Sequence, residues 1–316
     1  MAQERKTVVY AEIGANIVVT TAKFIAAAVS GSSAMMAEGF HSLADTGDGL
    51  LLLLGQHLST RPPDRKHPFG HGLEIYFWTF IVALLIFAIG GGLSIYDGVH
   101  SILHPEPLRN ALWNYVVLGV AFVFDGGSFL VAWRKFRKDA GKQDLWQALT
   151  TTRDMTVATV LLENSSDLVG ILLAFLGVFL SHVLDMPALD GIASVMIGLV
   201  LVAVAIFLGH QSRALLSGER AEPRMIAGIQ AVVDADPMVQ WCGRPMTLQL
   251  GPDTVMLALD LQFRPMLSAS DAASAIDELE KKVRSRYPIV KQIFIEAQAL
   301  AESKQAGAES VRGGEL

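Results

Sequence analysis

Cysteine is almost absent from this sequence, since Cys242 is the only one among 316 residues. A single thiol excludes an internal disulfide and a cysteine-based metal cluster. Charged residues are scarce as well: they make up 18% of the chain, against about 25% in an ordinary soluble domain. Because 52% of the residues are hydrophobic, the composition predicts an integral membrane protein embedded in a lipid bilayer.

The sequence also lacks an excess of basic residues, and its C-terminal part lacks histidine. The formal net charge is −6, so we exclude nucleic acid as a partner. All eight histidines precede residue 211, which leaves the C-terminal part without a nitrogen ligand for metal. The His-Glu-x-x-His helix of a metallohydrolase does not occur either.

Six segments are long and apolar enough to cross the hydrocarbon, which takes about 20 helical residues. They are residues 8–30, 34–58, 75–96, 112–133, 155–182 and 189–208. Lysine and arginine cluster before the first segment, after the second, between the fourth and fifth, and after the sixth, whereas the opposite loops hold only Arg109. By the positive-inside rule we expect both termini to be cytoplasmic, with the protein in the cell's inner (plasma) membrane.

The composition changes near Ser217 and Gly218, where a polar stretch follows the last apolar segment. Residues 217–300 show the periodicities of an α-β-β-α-β domain. We expect the tail, 301–316, to be disordered because it is polar and rich in small residues. The predicted fold is therefore an α-helical membrane protein, with six transmembrane helices in residues 1–216 and a C-terminal cytoplasmic α+β domain.

A stripe of ionisable residues runs through the second segment. Glu38, His41, Asp45 and Asp48 are three or four residues apart, so a helix places them on one face. Each charge at the bilayer centre costs roughly 2.5 to 3.5 kcal/mol, which favours a functional role. The alternative is that neighbouring helices neutralise these groups, which would then only hold the bundle together.

The fifth segment carries a second pair, Glu163 and Asp167, at the same spacing as His41 and Asp45. Both pairs lie about 12 to 18 Å from the start of their helix, at 1.5 Å per residue, so they can meet near the midplane. One nitrogen and three oxygens suit Zn²⁺, although Mn²⁺, Fe²⁺ or Co²⁺ could use the same ligands with added water. We expect these four residues to bind one ion.

Other ionisable residues have open roles. Glu38 and Asp48 are candidates for an access path or a proton relay. Lys23 shares a face of the first segment with Glu12, and we expect an internal ion pair or contact with water there. A loop after the second segment supplies a candidate metal site, for which hydrogen bonds that order the loop are the alternative; its residues are Asp64, His67 and His71.

These motifs resemble those of the cation diffusion facilitators. His41-Ser-Leu-Ala-Asp45 is similar to the second-helix motif of that family, Glu163-x-x-x-Asp167 stands at its fifth-helix motif, and His67-Pro-Phe-Gly-His71-Gly resembles its first cytoplasmic loop. The segments around Asp154 and Ser217 are most similar to the zinc-transporter-nine-like branch. The chain departs from the commoner fifth-helix motif, which begins with histidine where this chain has Glu163.

The resemblance implies a homodimeric antiporter that exports a divalent transition metal, with Zn²⁺ first, from the cytosol in exchange for protons by alternating access. It implies transport residues His41, Asp45, Glu163 and Asp167, and a loop site of Asp64, His67 and His71. No enzymatic activity and no prosthetic group are expected. The alternative from another class is a membrane-embedded metal-dependent hydrolase, because the same ligands could activate water.

Overall fold

Six long helices form the first part of the chain in the computed structural model, which describes residues 2–108, 110–140, 155–264 and 268–298. Each lies where the sequence predicts an apolar segment. Their bounds are α1 (Ala2–Ser30), α2 (Ser33–Ser59), α3 (Glu74–Leu103), α4 (Leu112–Ala140), α5 (Met155–Leu184) and α6 (Ala188–Leu216).

Four of these helices, within the described residues, are long and apolar enough to cross a membrane: Glu74–Leu103, Leu112–Arg134, Leu161–Leu184 and Ala188–Leu216. The prediction of a helical membrane domain is thus confirmed. Helix α2 falls short because its acidic stripe lowers its hydropathy, and the described apolar part of α1 is only Asn16–Ser30. Six spans stay a prediction.

Helix α2, which carries the stripe, has an unusually well satisfied N-terminus. Gly31, at φ +71°, ends α1, and the hydroxyl of Ser32 accepts a hydrogen bond from the Met35 amide at 3.1 Å. From the start of α6, the Asp190 carboxylate accepts the Ser33 amide at 2.5 Å and the Ser32 hydroxyl at 2.7 Å. A carboxylate here also complements the helix dipole, so α6 fixes one end of α2.

Helices α3 and α6 approach each other through glycine. The middle of α3, Ile86–Leu93, is a π-helix, and it contains Gly91. A Cβ added at Gly91 would lie 3.1 Å from the carbonyl oxygen of Gly198, and one added at Gly198 would lie 2.9 Å from that of Gly91. The pair Gly98 and Gly191 repeats this reciprocal contact. Small residues of this kind let membrane helices pack backbone to backbone.

The outer surface of this unit is apolar. On α4, for example, Leu112 and Val123 are each 72% exposed, and Phe124 is 60% exposed. The buried side includes Tyr76, Leu118, Ile197 and Leu201. An apolar exterior suits hydrocarbon, since lipid carries no penalty for contact with such side chains.

The second compact unit begins at Gly218, whereas the first ends at Ser217. Its elements are α7 (Pro223–Asp234), β1 (Val239–Cys242), β2 (Met246–Gly251), β3 (Thr254–Phe263), α8 (Ala269–Arg286) and β4 (Val290–Gln298). The predicted order α-β-β-α-β is therefore wrong by one strand, because β1 precedes the other two. With four residues, β1 is too short to show alternation in the sequence.

Strand β3 is the centre of a four-stranded sheet. β1 and β2 pair with it antiparallel, and β4 pairs with it in parallel. Its residues alternate between buried and half-buried, so Val255, Leu257 and Leu259 join a core completed by the two helices. Helix α8 starts with a capping box between Ser268 and Asp271. The tail expected to be disordered, 301–316, lies outside the described residues.

An ion pair joins α8 to the segment that follows α7. Lys282 Nζ donates to Asp236 Oδ2 at 2.8 Å, and the Met238 amide donates to the same carboxylate. These donors hold the pKa of Asp236 below its usual value, although burial acts in the opposite direction. The pKa of Lys282 is raised by the hydrogen bond to Asp236.

Candidate metal-binding site

His41 lies at the centre of a buried polar cluster between α2 and α5. Its side chain is only 2% exposed. Nδ1 lies 3.2 Å from Asp45 Oδ1 on the same helix, and Nε2 lies 3.1 Å from Asp167 Oδ1 on α5. One ligand atom from each of these three residues lies within 4.8 Å of the others. The first predicted pair, His41 and Asp45, therefore meets Asp167 of the second pair across two helices.

These distances suit a metal ion. Tetrahedral ligands about 2.1 Å from Zn²⁺ lie about 3.4 Å apart, close to the imidazole–carboxylate separations of 3.1 and 3.2 Å. His41 Nδ1 and Asp45 Oδ1 are buried, and neither has a hydrogen-bond partner among the described residues. Both atoms are therefore free to bind an ion.

Glu163 lies beside this trio but outside it. It interacts electrostatically with Asp45 and His41, yet it is not part of the group whose ligand atoms lie within 4.8 Å. Its Oε1 is buried and has no hydrogen-bond partner among the described residues. The role of Glu163 as a fourth ligand stays a prediction.

The two relay candidates have different surroundings. Glu38, 0% exposed, forms an ion pair with Lys23 of α1 at 2.8 Å, which is an internal ion pair of the kind expected for Lys23. Lys23 Nζ also donates to Ser42 Oγ at 2.7 Å. The side chain of Glu12 lies outside the described part of the chain. Asp48 is 0% exposed, and within that part neither of its oxygens has a hydrogen-bond partner.

The structure adds groups that sequence spacing did not indicate. Ser166 Oγ lies 3.5 Å from His41 Nε2. Gly170, one turn after Asp167, leaves room for Glu38, since an added Cβ would collide with Glu38 Oε1. In the sequence, only the glycine three positions after Asp167 could have indicated that Glu38 approaches α5 here. The cap by Asp190, more than 150 residues from α2 in the sequence, has no local signal.

The loop after α2 brings Asp64, His67 and His71 together. One ligand atom of each lies within 4.8 Å of the others, with Asp64 Oδ1 3.2 Å from His67 Nδ1 and Asp64 Oδ2 3.3 Å from His71 Nε2. The backbone N–H groups of His67 and Lys66 donate to Asp64 Oδ1 and hold the pKa of this carboxyl below its usual value. Both readings, a metal site and an ordered loop, fit this geometry.

Comparison with known proteins identifies the family. Residues 9–217 match the family described as the cation efflux transmembrane domain. The proton-coupled zinc antiporter SLC30A9, mitochondrial, of Xenopus laevis is 30% identical over 267 residues, which are 82% of this chain and 48% of the relative. The metal tolerance protein C4 of Arabidopsis thaliana is 28% identical, over 83% of this chain and 58% of that protein.

A more distant relative matches over most of both chains. The manganese efflux system protein MneP of Bacillus subtilis is 22% identical, over 89% of this chain and 91% of its own. By contrast, this chain spans about half the length of the antiporter of Xenopus laevis. The family match covers the helical unit that contains the buried cluster, and the chain therefore belongs to the cation efflux family, that is, the cation diffusion facilitators, in their zinc-transporter-nine-like branch.

Proposed function

We propose that this protein is a secondary active transporter, which exports a divalent transition metal from the cytosol in exchange for protons by alternating access. The main support for the proposal is the buried imidazole of His41, which lies between carboxylates from two helices. Its Nδ1 is 3.2 Å from Asp45 Oδ1, and its Nε2 is 3.1 Å from Asp167 Oδ1. Because the cation efflux family is a family of transporters, the prediction that the chain is not an enzyme is confirmed. The hydrolase alternative is set aside.

The transported ion would bind to His41, Asp45, Glu163 and Asp167. One nitrogen and three oxygens favour Zn²⁺, with Mn²⁺, Fe²⁺ or Co²⁺ as alternatives. Relatives named for zinc and for manganese both support a divalent metal as the substrate. The loop residues Asp64, His67 and His71 would offer a further, exposed position for the ion near the end of α2.

Proton exchange follows from the chemistry of these ligands. A metal ion and protons compete for the same lone pairs, so metal binding releases protons and protonation releases metal. A proton reaching His41 or a carboxylate would thus expel the ion on one side of the membrane. Deprotonation on the cytosolic side would restore the affinity.

The proposal includes the membrane topology. Helices α1 to α6 would all span the bilayer, residues 1–216 forming the transmembrane domain and 217–300 the cytoplasmic domain. The distribution of lysine and arginine supports cytoplasmic termini. We propose the cell's inner membrane and a homodimer, although relatives such as the antiporter of Xenopus laevis are named as mitochondrial.

Reconstitution in liposomes tests the transport proposal. With an imposed pH gradient, we expect Zn²⁺ flux by the wild-type protein and a loss of at least about tenfold in Asp45→Asn, as is typical when a metal site loses a supporting group. The matched control is Asp185→Asn, because Asp185 is exposed and its φ of +52° also suits asparagine. Absence of proton-driven flux, or equal flux in Asp45→Asn and the control, would contradict the proposal.

A further inference from the structure

Gly170 lies on α5 where that helix faces the cluster around His41. The glycine is buried, and a Cβ added to it would collide with Glu38 Oε1 and would lie 3.6 Å from His41 Cδ2. Both of these side chains belong to α2. Because glycine has no side chain, α5 can approach α2 more closely here than any other residue would allow.

Glu38 cannot easily make room for a larger residue at this point. Its other oxygen, Oε2, accepts a hydrogen bond from Lys23 Nζ at 2.8 Å, and the same ammonium group donates to Ser42 Oγ at 2.7 Å. The side chains of Lys23 and Glu38 are only 1% and 0% exposed. Moving the carboxylate would thus separate two buried charges, which is strongly destabilising. We expect a side chain at position 170 to displace α5 rather than Glu38.

The position of α5 sets the distance between Asp167 and His41. Asp167 and Gly170 are three residues apart, so they share one face of α5, and they lie roughly 4.5 Å apart along its axis at 1.5 Å per residue. His41 adjoins both: its Nε2 is 3.1 Å from Asp167 Oδ1, and its Cδ2 faces Gly170. A larger separation of the helices at Gly170 would consequently draw Asp167 away from His41.

We propose that Gly170 is a positioning residue, which holds Asp167 close enough to His41 for both to bind one ion and thereby favours Zn²⁺ over Mn²⁺. This inference rests on the proposed function. Zn²⁺ takes four ligands in a compact tetrahedron, with bonds to nitrogen and oxygen of about 2.0–2.2 Å. A wider site would leave room for water, which suits the octahedral oxygen coordination of Mn²⁺.

Equilibrium dialysis of the full-length protein in detergent, with Zn²⁺ alone or Mn²⁺ alone as the probe, tests this role. All proteins carry Asp64→Asn, which weakens the loop cluster. Gly170→Ala should weaken Zn²⁺ binding by at least about tenfold, the loss typical when the support of a metal ligand is disturbed, and should weaken Mn²⁺ binding less. The matched control is Gly119→Ala on α4, where an added Cβ would meet no neighbouring helix of the described residues within 4 Å. This control should keep both affinities.

The collision can also be relieved from the side of α2. The background Lys23→Met/Glu38→Ala removes both buried charges together with the carboxylate that the new methyl group would meet. Gly170→Ala should cost little Zn²⁺ affinity in this background, since substitutions at contacting residues are not additive. Elution volume and thermal unfolding without metal verify that each variant is folded.

Equal Zn²⁺ affinities in Gly170→Ala and Gly119→Ala would overturn the role of Gly170. So would equal losses for Zn²⁺ and Mn²⁺, or a loss that persists in full in the Lys23→Met/Glu38→Ala background. If the wild type transports Zn²⁺ in liposomes while Gly170→Ala binds it normally, only this inference fails. If Gly170→Ala behaves as expected but the wild type shows no proton-driven flux, the transport proposal fails.

Discussion

Lys23 and Glu38 form the most deeply buried ion pair that the structure describes, with relative exposures of 1% and 0%. Two charges buried in this way stabilise each other only as long as both are present. The Ser42 hydroxyl, adjacent to His41 in the sequence, accepts a further hydrogen bond from the ammonium group. The pair therefore fastens α1 to the part of α2 that carries the cluster.

Replacing Lys23 alone should be strongly destabilising. Lys23→Met leaves the Glu38 carboxylate buried without its cation, and we expect a loss of about 3–5 kcal/mol in the free energy of unfolding. Unfolding of the purified protein in detergent measures this change. The control Lys23→Met/Glu38→Met removes both charges and should recover most of the loss; a double variant as unstable as the single one would contradict the role of the pair.

Spacing and depth predicted that His41, Asp45 and Asp167 lie close together, whereas their role as metal ligands stays a prediction. His41 and Asp45 lie on one helical face, and depth along the helices placed Asp167 beside them. The partner of Lys23 could not be predicted, because contacts between helices leave no local pattern in the sequence. For the same reason the position of Glu163, close to Asp45 but outside the trio, required the structure.

In the loop between α2 and α3, the exposed carboxylate of Asp64 accepts hydrogen bonds from two backbone amides. Asp64 accepts from the amides of Lys66 and His67 at 2.8 and 2.7 Å. Since its folded pKa is lowered, the ordering that it provides is complete above the ordinary carboxyl pKa of about 3.9. This ordering is lost as the pH falls through the lower folded value.

Removing that carboxylate should loosen the loop without affecting the helices. In Asp64→Ala we expect the amides of Lys66 and His67 to exchange with deuterium several-fold faster at neutral pH, because their acceptor is gone. Hydrogen exchange followed by mass spectrometry measures this on peptides that cover the loop. Arg65→Ala changes an exposed neighbour and should leave the exchange slow; equal protection in Asp64→Ala would show that the loop is ordered by other contacts.

Elements with strong periodicity were predictable, and short ones were not. Strand β3 alternates over ten residues, and Ser268 with Asp271 gives a capping signal at the start of α8, so both follow from the sequence. Strand β1 has only four residues and a register shift between Val239 and Trp241. Its pairing depends on β3 rather than on a pattern of its own.

At the scale of the whole molecule, the chain consists of two units with separate cores. The core of the second unit includes Leu257, Leu279 and Val283, each at most 1% exposed. Its described strands β1, β2 and β4 each pair with β3, so the sheet lies within residues 218–298. A core and a complete sheet of its own are what an independently folding domain requires.

A fragment of residues 218–298 should therefore fold alone with one cooperative transition, which thermal unfolding monitored by circular dichroism measures. Leu257→Ala should lower its stability by about 2–5 kcal/mol, because it leaves a cavity in the core. Met256→Ala, on the half-buried face of the same strand, is the control and should cost much less. A fragment without a cooperative transition would contradict the independence of this unit.

The glycine contacts between α3 and α6 restrict how the membrane unit can change shape. Where Gly98 meets Gly191 and Gly91 meets Gly198, a Cβ added to any of the four glycines would lie within 3.1 Å of the opposite carbonyl oxygen, so the main chains approach closely. Sliding or separating the two helices here would lose the close van der Waals packing that the glycines allow. We therefore expect α3 and α6 to move as one rigid body. Any conformational change that opens or closes access to the cluster around His41 would then involve α2 and α5.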